Sequence, residues 1–170
     1  MRRYWPILLF AAVLLVGGGF YLLRTFKRPA PVSPFGLEQR VVTIDTPKGA
    51  YRLVVEVARR PDELERGLMF RSEMAPDHGM VFLFPEPSAG GFWMKNTKIP
   101  LSIAFFDRKG VILRILQMKP CTLPPERADD CPVYYPGVTY SGALEVNRGW
   151  FAAHGVREGD RIELGSWAWR

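Results

Sequence analysis

The apolar positions of this chain form one long block and then many short ones. From Trp5 to Leu23 no residue is charged. As a helix rising ~1.5 Å per residue, that run is about 28 Å long, close to the ~30 Å hydrocarbon core of a bilayer. Trp5 and Tyr21 stand near its two ends, where amphipathic rings favour the membrane interface. The pattern predicts one N-terminal transmembrane helix within residues 1–28. A cleaved signal sequence is the rival, with Ile7 to Val16 as its apolar core and Gly17 and Gly19 as small cleavage residues. Phe20 to Leu23 extend the apolar run past that point and favour an uncleaved anchor. Residues 29–36 hold Pro29, Pro31 and Pro34 and read as a short, stiff, extended linker.

Beyond Leu37 the apolar runs are short and turn residues are frequent. Val41, Val42 and Ile44 predict a first strand, and Pro47–Lys48–Gly49 a turn. Tyr51, Leu53, Val55 and Val57 alternate with Arg52, Val54 and Glu56 as a second strand. Pro61 to Leu68 fits a short helix, with proline at its start and acids in its first turn. Met80–Phe84, Phe92–Met94, Leu101–Phe106, Val111–Met118, Tyr140–Val146 and Arg161–Leu164 read as further strands. Asp107 to Gly110 looks like a hairpin connection. Trp150 to His154 suggests a helical turn ended by Gly155. The expected fold is mostly β, a β-sandwich or partly open barrel with two short helices, over residues 37–166.

Charge changes this picture little once it is divided. The formal net charge is +6, but Arg2, Arg3, Arg24, Lys27 and Arg28 all flank the first apolar run. Setting those five aside leaves 18 basic residues against 17 acidic ones. The folded part has no basic field to attract phosphates, so no nucleic-acid partner is expected. The two cysteines, Cys121 and Cys131, lie ten apart in a Pro-rich loop from Pro120 to Gly137. Such a spacing closes a ring readily, worth roughly 3 kcal/mol on loop entropy. Two free thiols are the alternative. Because disulfides persist outside the cytosol, the bridge places the domain on the extracytoplasmic side of the membrane, or secreted if the leader is cleaved.

Several short motifs carry a resemblance. Arg66–Gly67–Leu68–Met69–Phe70–Arg71, Gly79–Met80–Val81–Phe82, Phe92–Trp93–Met94–Lys95–Asn96–Thr97, Ile99–Pro100–Leu101 and Leu144–Glu145–Val146–Asn147 occur in this order. Together they resemble the domain of unknown function 192 family, also called uncharacterised protein family 0127, from about Val41 to Leu164. The resemblance implies a compact β-rich fold with small helices, often behind a signal sequence, and no settled reaction. The family commonly has Asp after the Pro–Leu pair, where this chain has Ser102.

Candidate chemistry centres on the same motifs. Strand alternation sets Trp93 and Lys95 on one face and Phe92, Met94 and Asn96 on the other. An exposed Trp93 beside Lys95 would suit a sugar, peptide or small ligand; a core tryptophan with a snorkelling lysine is the plainer reading. Glu145 sits in an apolar strand, with Lys95 and Arg66 as candidate partners. A Lys95–Glu145 pair in a cleft would support general acid–base work; an edge glutamate or a structural ion pair is the alternative. Arg66 and Arg71 bracket Met69 and would grip a carboxylate or phosphate, or else brace the helix end. Met69, Met74, Met80 and Met94 suggest either a soft binding or copper surface or ordinary core. His78 reads as an exposed loop residue and His154 as the end of a helical turn.

There is no glycine-rich phosphate loop, no His–Glu–x–x–His and no Gly–x–Ser–x–Gly. No catalytic residue, cofactor or metal site is expected. The leading expectation is a non-enzymatic envelope module that binds a small ligand, glycan or partner protein through Arg66, Met69, Arg71, Trp93, Lys95, Asn96 and Glu145. An enzyme using Lys95 and Glu145, and a purely structural accessory domain, are the competing expectations.

Overall fold

The computed structural model describes residues 33–169. The expected anchor at 1–28 and the first half of the 29–36 linker, residues 29–32, lie outside the described residues. Among the described residues, no helix is long and apolar enough to cross a membrane.

The chain is mostly β. Its strands are β1 (Gln39–Thr46), β2 (Gly49–Ala58), β3 (His78–Ser88), β4 (Phe92–Trp93), β5 (Leu101–Phe106), β6 (Ile112–Met118), β7 (Val133–Tyr134), β8 (Tyr140–Asn147) and β9 (Arg161–Glu163). Among the described residues, two short helices, α1 (Pro61–Arg66) and α2 (Trp150–Ala153), and a 3-10 turn (Pro125–Asp130) accompany them. Seven strands form one sheet in the order β6-β5-β8-β3-β2-β1-β9, and β4 pairs with β7 alone.

That sheet is curled into a half-barrel rather than stacked as a sandwich. Its ends approach each other where Val111 bridges Arg161. Ile112 N–H donates to the Asp160 carbonyl at 2.8 Å, and Ile162 N–H to the Gly110 carbonyl at 2.8 Å. All seven strands contribute to the core inside the curl: Val42, Leu53, Val81, Ala104, Ile112, Leu144 and Ile162 are among its buried members. Trp150 and Phe151 of α2 pack against it. Partly buried Trp167 and Trp169 extend the packed domain past residue 166.

The opposite face of the central strands is apolar too. Met80, Phe82, Ile103, Phe105 and Ala143 build a second core there, with Leu68, Met94 and the two cysteines. β5 is therefore buried along its whole length, and all its residues but Ser102 are apolar. Each large side chain so buried is worth roughly 1.5–3 kcal/mol.

β2 and β3 run parallel, so the chain crosses over between them through α1. The Glu63 carboxylate accepts the N–H groups of Arg59 and Arg60, each at 3.0 Å, and starts the helix. Gly67, with φ +46°, stops it.

Cys121 and Cys131 are bridged, with Cα atoms 5.9 Å apart. The Pro-rich loop they clasp contains β7 and the 3-10 turn, which its composition did not announce. His78 opens β3 instead of lying in a loop. Its Nδ1 lies 2.9 Å from the Pro76 carbonyl. His154 caps α2 and stacks on Trp150 with ring centroids 4.0 Å apart.

Candidate functional site: a cleft beside the crossover helix

A cleft of about 610 Å³ opens between α1 and the segment following β4. Its first wall is the end of the crossover helix. Arg66 closes α1, Gly67 turns the chain against the Phe82 ring, and buried Leu68 pins the turn in the second core. Met69 then lines the cleft, and Phe70 stands 62% exposed with φ +66°.

The second wall is residues 93–96. Phe92 packs edge-on against Phe82 at 5.0 Å and Phe105 at 5.5 Å. Met94 is fully buried. Alternation between these inward residues throws Trp93 outward, where it is 39% exposed. The tryptophan is thus a surface residue, not a core one. Lys95 Nζ lies 4.9 Å from the centre of the Trp93 ring. Asn96, with φ +56°, leaves the extended conformation and brings its side chain to the cleft. Phe70 N–H donates to the Asn96 carbonyl at 2.8 Å and ties the two walls together. Two left-handed, non-glycine residues thus meet at one hydrogen bond, a strain of order 1–3 kcal/mol each that the surrounding fold must hold.

The residues before β1 supply the third side. Ser33 is buried, and its Oγ donates to Glu56 Oε2 at 3.1 Å. Gly36 N–H donates to the Ser33 carbonyl at 2.9 Å, closing a turn. The end of the segment read as linker is therefore seated on the domain. Phe35, 58% exposed, lies over the Arg71 guanidinium at 3.8 Å and lines the cleft with Leu37.

Six of the seven residues singled out from sequence line this one cleft: Arg66, Met69, Arg71, Trp93, Lys95 and Asn96. Their side chains are unequally free. Arg71 is buried and grips Glu56 with both terminal nitrogens, at 2.5 and 2.6 Å. Its fork is filled, so it braces the wall. Lys95 donates to Asp129 Oδ1 at 2.7 Å. Arg60 and Asp62 pair at the outer rim, where the hydrogen bond from Arg60 holds the Asp62 carboxyl below its ordinary range. The side chains of Arg66, Glu65 and Asn96 make no hydrogen bond or ion pair among the described residues.

Glu145 is the exception to the convergence. It is 4% exposed on β8, with Met80 of β3 and Ile103 of β5 as cross-strand neighbours. Neither Lys95 nor Arg66 reaches it, and the expected Lys95–Glu145 pair does not form. The physical reason is that β8 is central and covered on both faces. Glu145 shares the face of Ala143, so it points into the second core. Its carboxyl has no partner among the described residues, and burial pushes its pKa up to about 8.

Met80 and Met94 are core residues, while Met69 and Met74 are partly buried. Among the described residues, no group of three His, Cys, Asp or Glu side chains is placed to hold a metal. Ser102, where the family commonly has Asp, is a buried latch. Its hydroxyl donates to Gln117 Oε1 at 3.0 Å and accepts Gly149 N–H at 2.8 Å, ahead of α2.

Phe35, Phe70 and Asp129 were not among the site residues expected from the sequence. Phe35 between Pro34 and Gly36 was a signal of a turn, but not of where the turn docks. Phe70 follows a glycine–leucine helix stop, yet nothing local announces its left-handed backbone.

Fold and cleft define a class: a small half-barrel domain with a side cleft, walled by a crossover helix and a strand segment held by a disulfide-clasped loop. The DUF192 family model, described as Uncharacterized ACR, matches residues 42–164, and the chain belongs to this family. A protein proposed to be a transcription regulator from Sinorhizobium meliloti 1021 is similar in structure. It is 35% identical, with a TM-score of 0.67, covering 75% of this chain and 94% of that one. A protein of unknown function from Novosphingobium aromaticivorans DSM 12444 is 32% identical, with a TM-score of 0.71, covering 78% of this chain and 91% of that one. No curated protein matches the chain.

Proposed function

We propose that this protein is a membrane-tethered, extracytoplasmic binding module without catalytic activity, and that the cleft is its binding surface. One observation carries the reading: six residues from two separate sequence motifs, 66–71 and 93–96, converge on a single concavity with exposed rings and polar groups unpaired among the described residues. The rings of Phe35, Phe70 and Trp93 offer apolar platforms, while Arg66 and Asn96 offer donors with no other task. Such a lining suits a ligand with an apolar face and an acidic or hydroxyl-bearing end. The disulfide and the apolar run at Trp5–Leu23 support the compartment and the tether. The transcription-regulator description of the S. meliloti protein is not carried over, because the charges outside the N-terminal run nearly cancel. A catalytic Lys–Glu couple has no support, since Lys95 is held by Asp129 and Glu145 lies in the core.

The test uses the full chain solubilised from membranes of its own host. Native mass spectrometry of the wild type should show a bound small molecule. A Trp93→Ala, Arg66→Ala double variant should lose it while keeping its thermal transition. A wild-type protein that carries nothing, or a folded variant that retains the same mass, would count against the cleft. Release of the wild-type chain by alkaline washing would count against the tether.

A further inference from the structure

We infer that the cleft is turned towards the bilayer and docks on anionic phospholipid headgroups. The inference deepens the binding-module reading and rests on its tether. It starts from where the chain joins the domain. Ser33 is buried and bonded to Glu56, and the next residues, Phe35 to Leu37, line the cleft. The point of attachment and the rim of the cleft are therefore the same place.

Nine residues, 24–32, separate the apolar run from Ser33. Fully extended, the ten Cα steps from Leu23 to Ser33 span about 35 Å. A domain of this size has a radius of gyration of about 14 Å, so it is roughly as wide as the tether is long. The tether therefore keeps the face where it attaches within about 35 Å of the bilayer.

The chemistry of that face fits a headgroup layer. Phe35, Phe70 and Trp93 are 58%, 62% and 39% exposed around one concavity. Val133, the cross-strand neighbour of Trp93, is exposed beside them. Amphipathic and aromatic rings favour the interface, and neighbouring cations favour phosphate oxygens. Arg66 is unpaired among the described residues, and Lys95 has the exposed carboxylate of Asp129 as its ion-pair partner there. Most acids nearby are already engaged: Asp62 by Arg60, Glu63 by the helix N–H groups and Glu56 by Arg71. Glu65, an acid of the lining with no partner among the described residues, opposes docking. Arg24, Lys27 and Arg28 of the tether add attraction for the same anionic leaflet.

The experiment places the full chain in nanodiscs of phosphatidylcholine, with or without phosphatidylglycerol. The native cysteines are bridged, so a fluorophore goes only onto Glu65→Cys at the cleft or Lys48→Cys at the far end of the β1–β2 hairpin. Quenching by a headgroup-nitroxide lipid reads proximity. With phosphatidylglycerol present, the Glu65→Cys label should be quenched several-fold more than the Lys48→Cys label. Adding Phe70→Ser and Arg66→Ser should return it to the phosphatidylcholine level; both side chains are exposed, and an unchanged thermal transition verifies folding. Equal quenching at the two positions overturns the inference. So does equal quenching at Glu65→Cys with and without phosphatidylglycerol, which would leave a peptide or glycan as the occupant. In either case, a chain that still inserts into the discs leaves the tether standing. A chain that stays out of the discs removes the tether and the inference together.

Discussion

Glu145 shows what one residue can do in a two-faced strand. Its carboxyl has no partner among the described residues, and burial raises its pKa to about 8 from an ordinary value of 4.5. The folded state therefore holds this proton more tightly than the unfolded state does. Below the unfolded pKa both states are protonated and the full stability is present. As pH rises from about 4.5 through about 8, the unfolded chain ionises first, and the fold loses stability. The shift corresponds to a loss on the order of 3–5 kcal/mol. Glu145→Gln cannot ionise, so its denaturant-unfolding free energy should vary much less between pH 5 and pH 9 than that of the wild type. Parallel pH profiles for the two proteins would refute the assignment. The alternation of Tyr140 to Val146 revealed a strand, and a charged residue inside it was conspicuous. Its lack of a partner was not legible, because Lys95 and Arg66 are brought near or kept away only by the placement of other strands.

At the scale of elements, the cleft depends on a segment too short to hold itself. β4 has only two residues, and its neighbours fix it. Trp93 pairs with Val133, and Cys121 N–H donates to the Thr97 carbonyl at 3.1 Å. Lys95 bonds Asp129 within the same disulfide-bounded loop. The bridge thus holds the second wall of the cleft through three contacts. A Cys121→Ser, Cys131→Ser variant should lose roughly 2–3 kcal/mol of stability. Amides of residues 92–97 should exchange with solvent about tenfold faster or more, while those of β1 and β2 stay protected. Uniform loosening of the whole sheet would show that the loop has no particular hold on the cleft. The cysteine spacing made the ring readable in sequence. The partners of the ring were not readable, because they lie 24 to 40 residues away along the chain.

For the whole molecule, the decisive feature is the meeting of the sheet's two ends. Gly110 has φ +82°, and a Cβ there would drive into the Ile162 carbonyl. Gly110→Ala should therefore cost roughly 2–4 kcal/mol, combining left-handed strain with a backbone collision. Gly137 also has positive φ, at +71°, but a Cβ there meets nothing within 4 Å. Gly137→Ala should cost only about 1 kcal/mol. Thermal unfolding of the pair measures the difference, and equal losses would mean that the contact between β9 and the β5–β6 turn contributes little.

The sequence by itself determined where most strands lie, that the fold is mostly β, and that Cys121 and Cys131 are spaced to close a ring. These follow from period-two alternation, turn residues and short loop closure, all of which act over a few neighbouring positions. It also named six residues that share one cleft, because they cluster in the motifs around α1 and β4. Only the tertiary structure decided that the sheet curls instead of stacking, that Arg71 is consumed by Glu56, and that Glu145 faces the core. Those outcomes depend on which distant backbones hydrogen-bond and which face of a strand is covered. Such pairings form between segments tens of residues apart, and no local pattern of apolar and polar side chains specifies them.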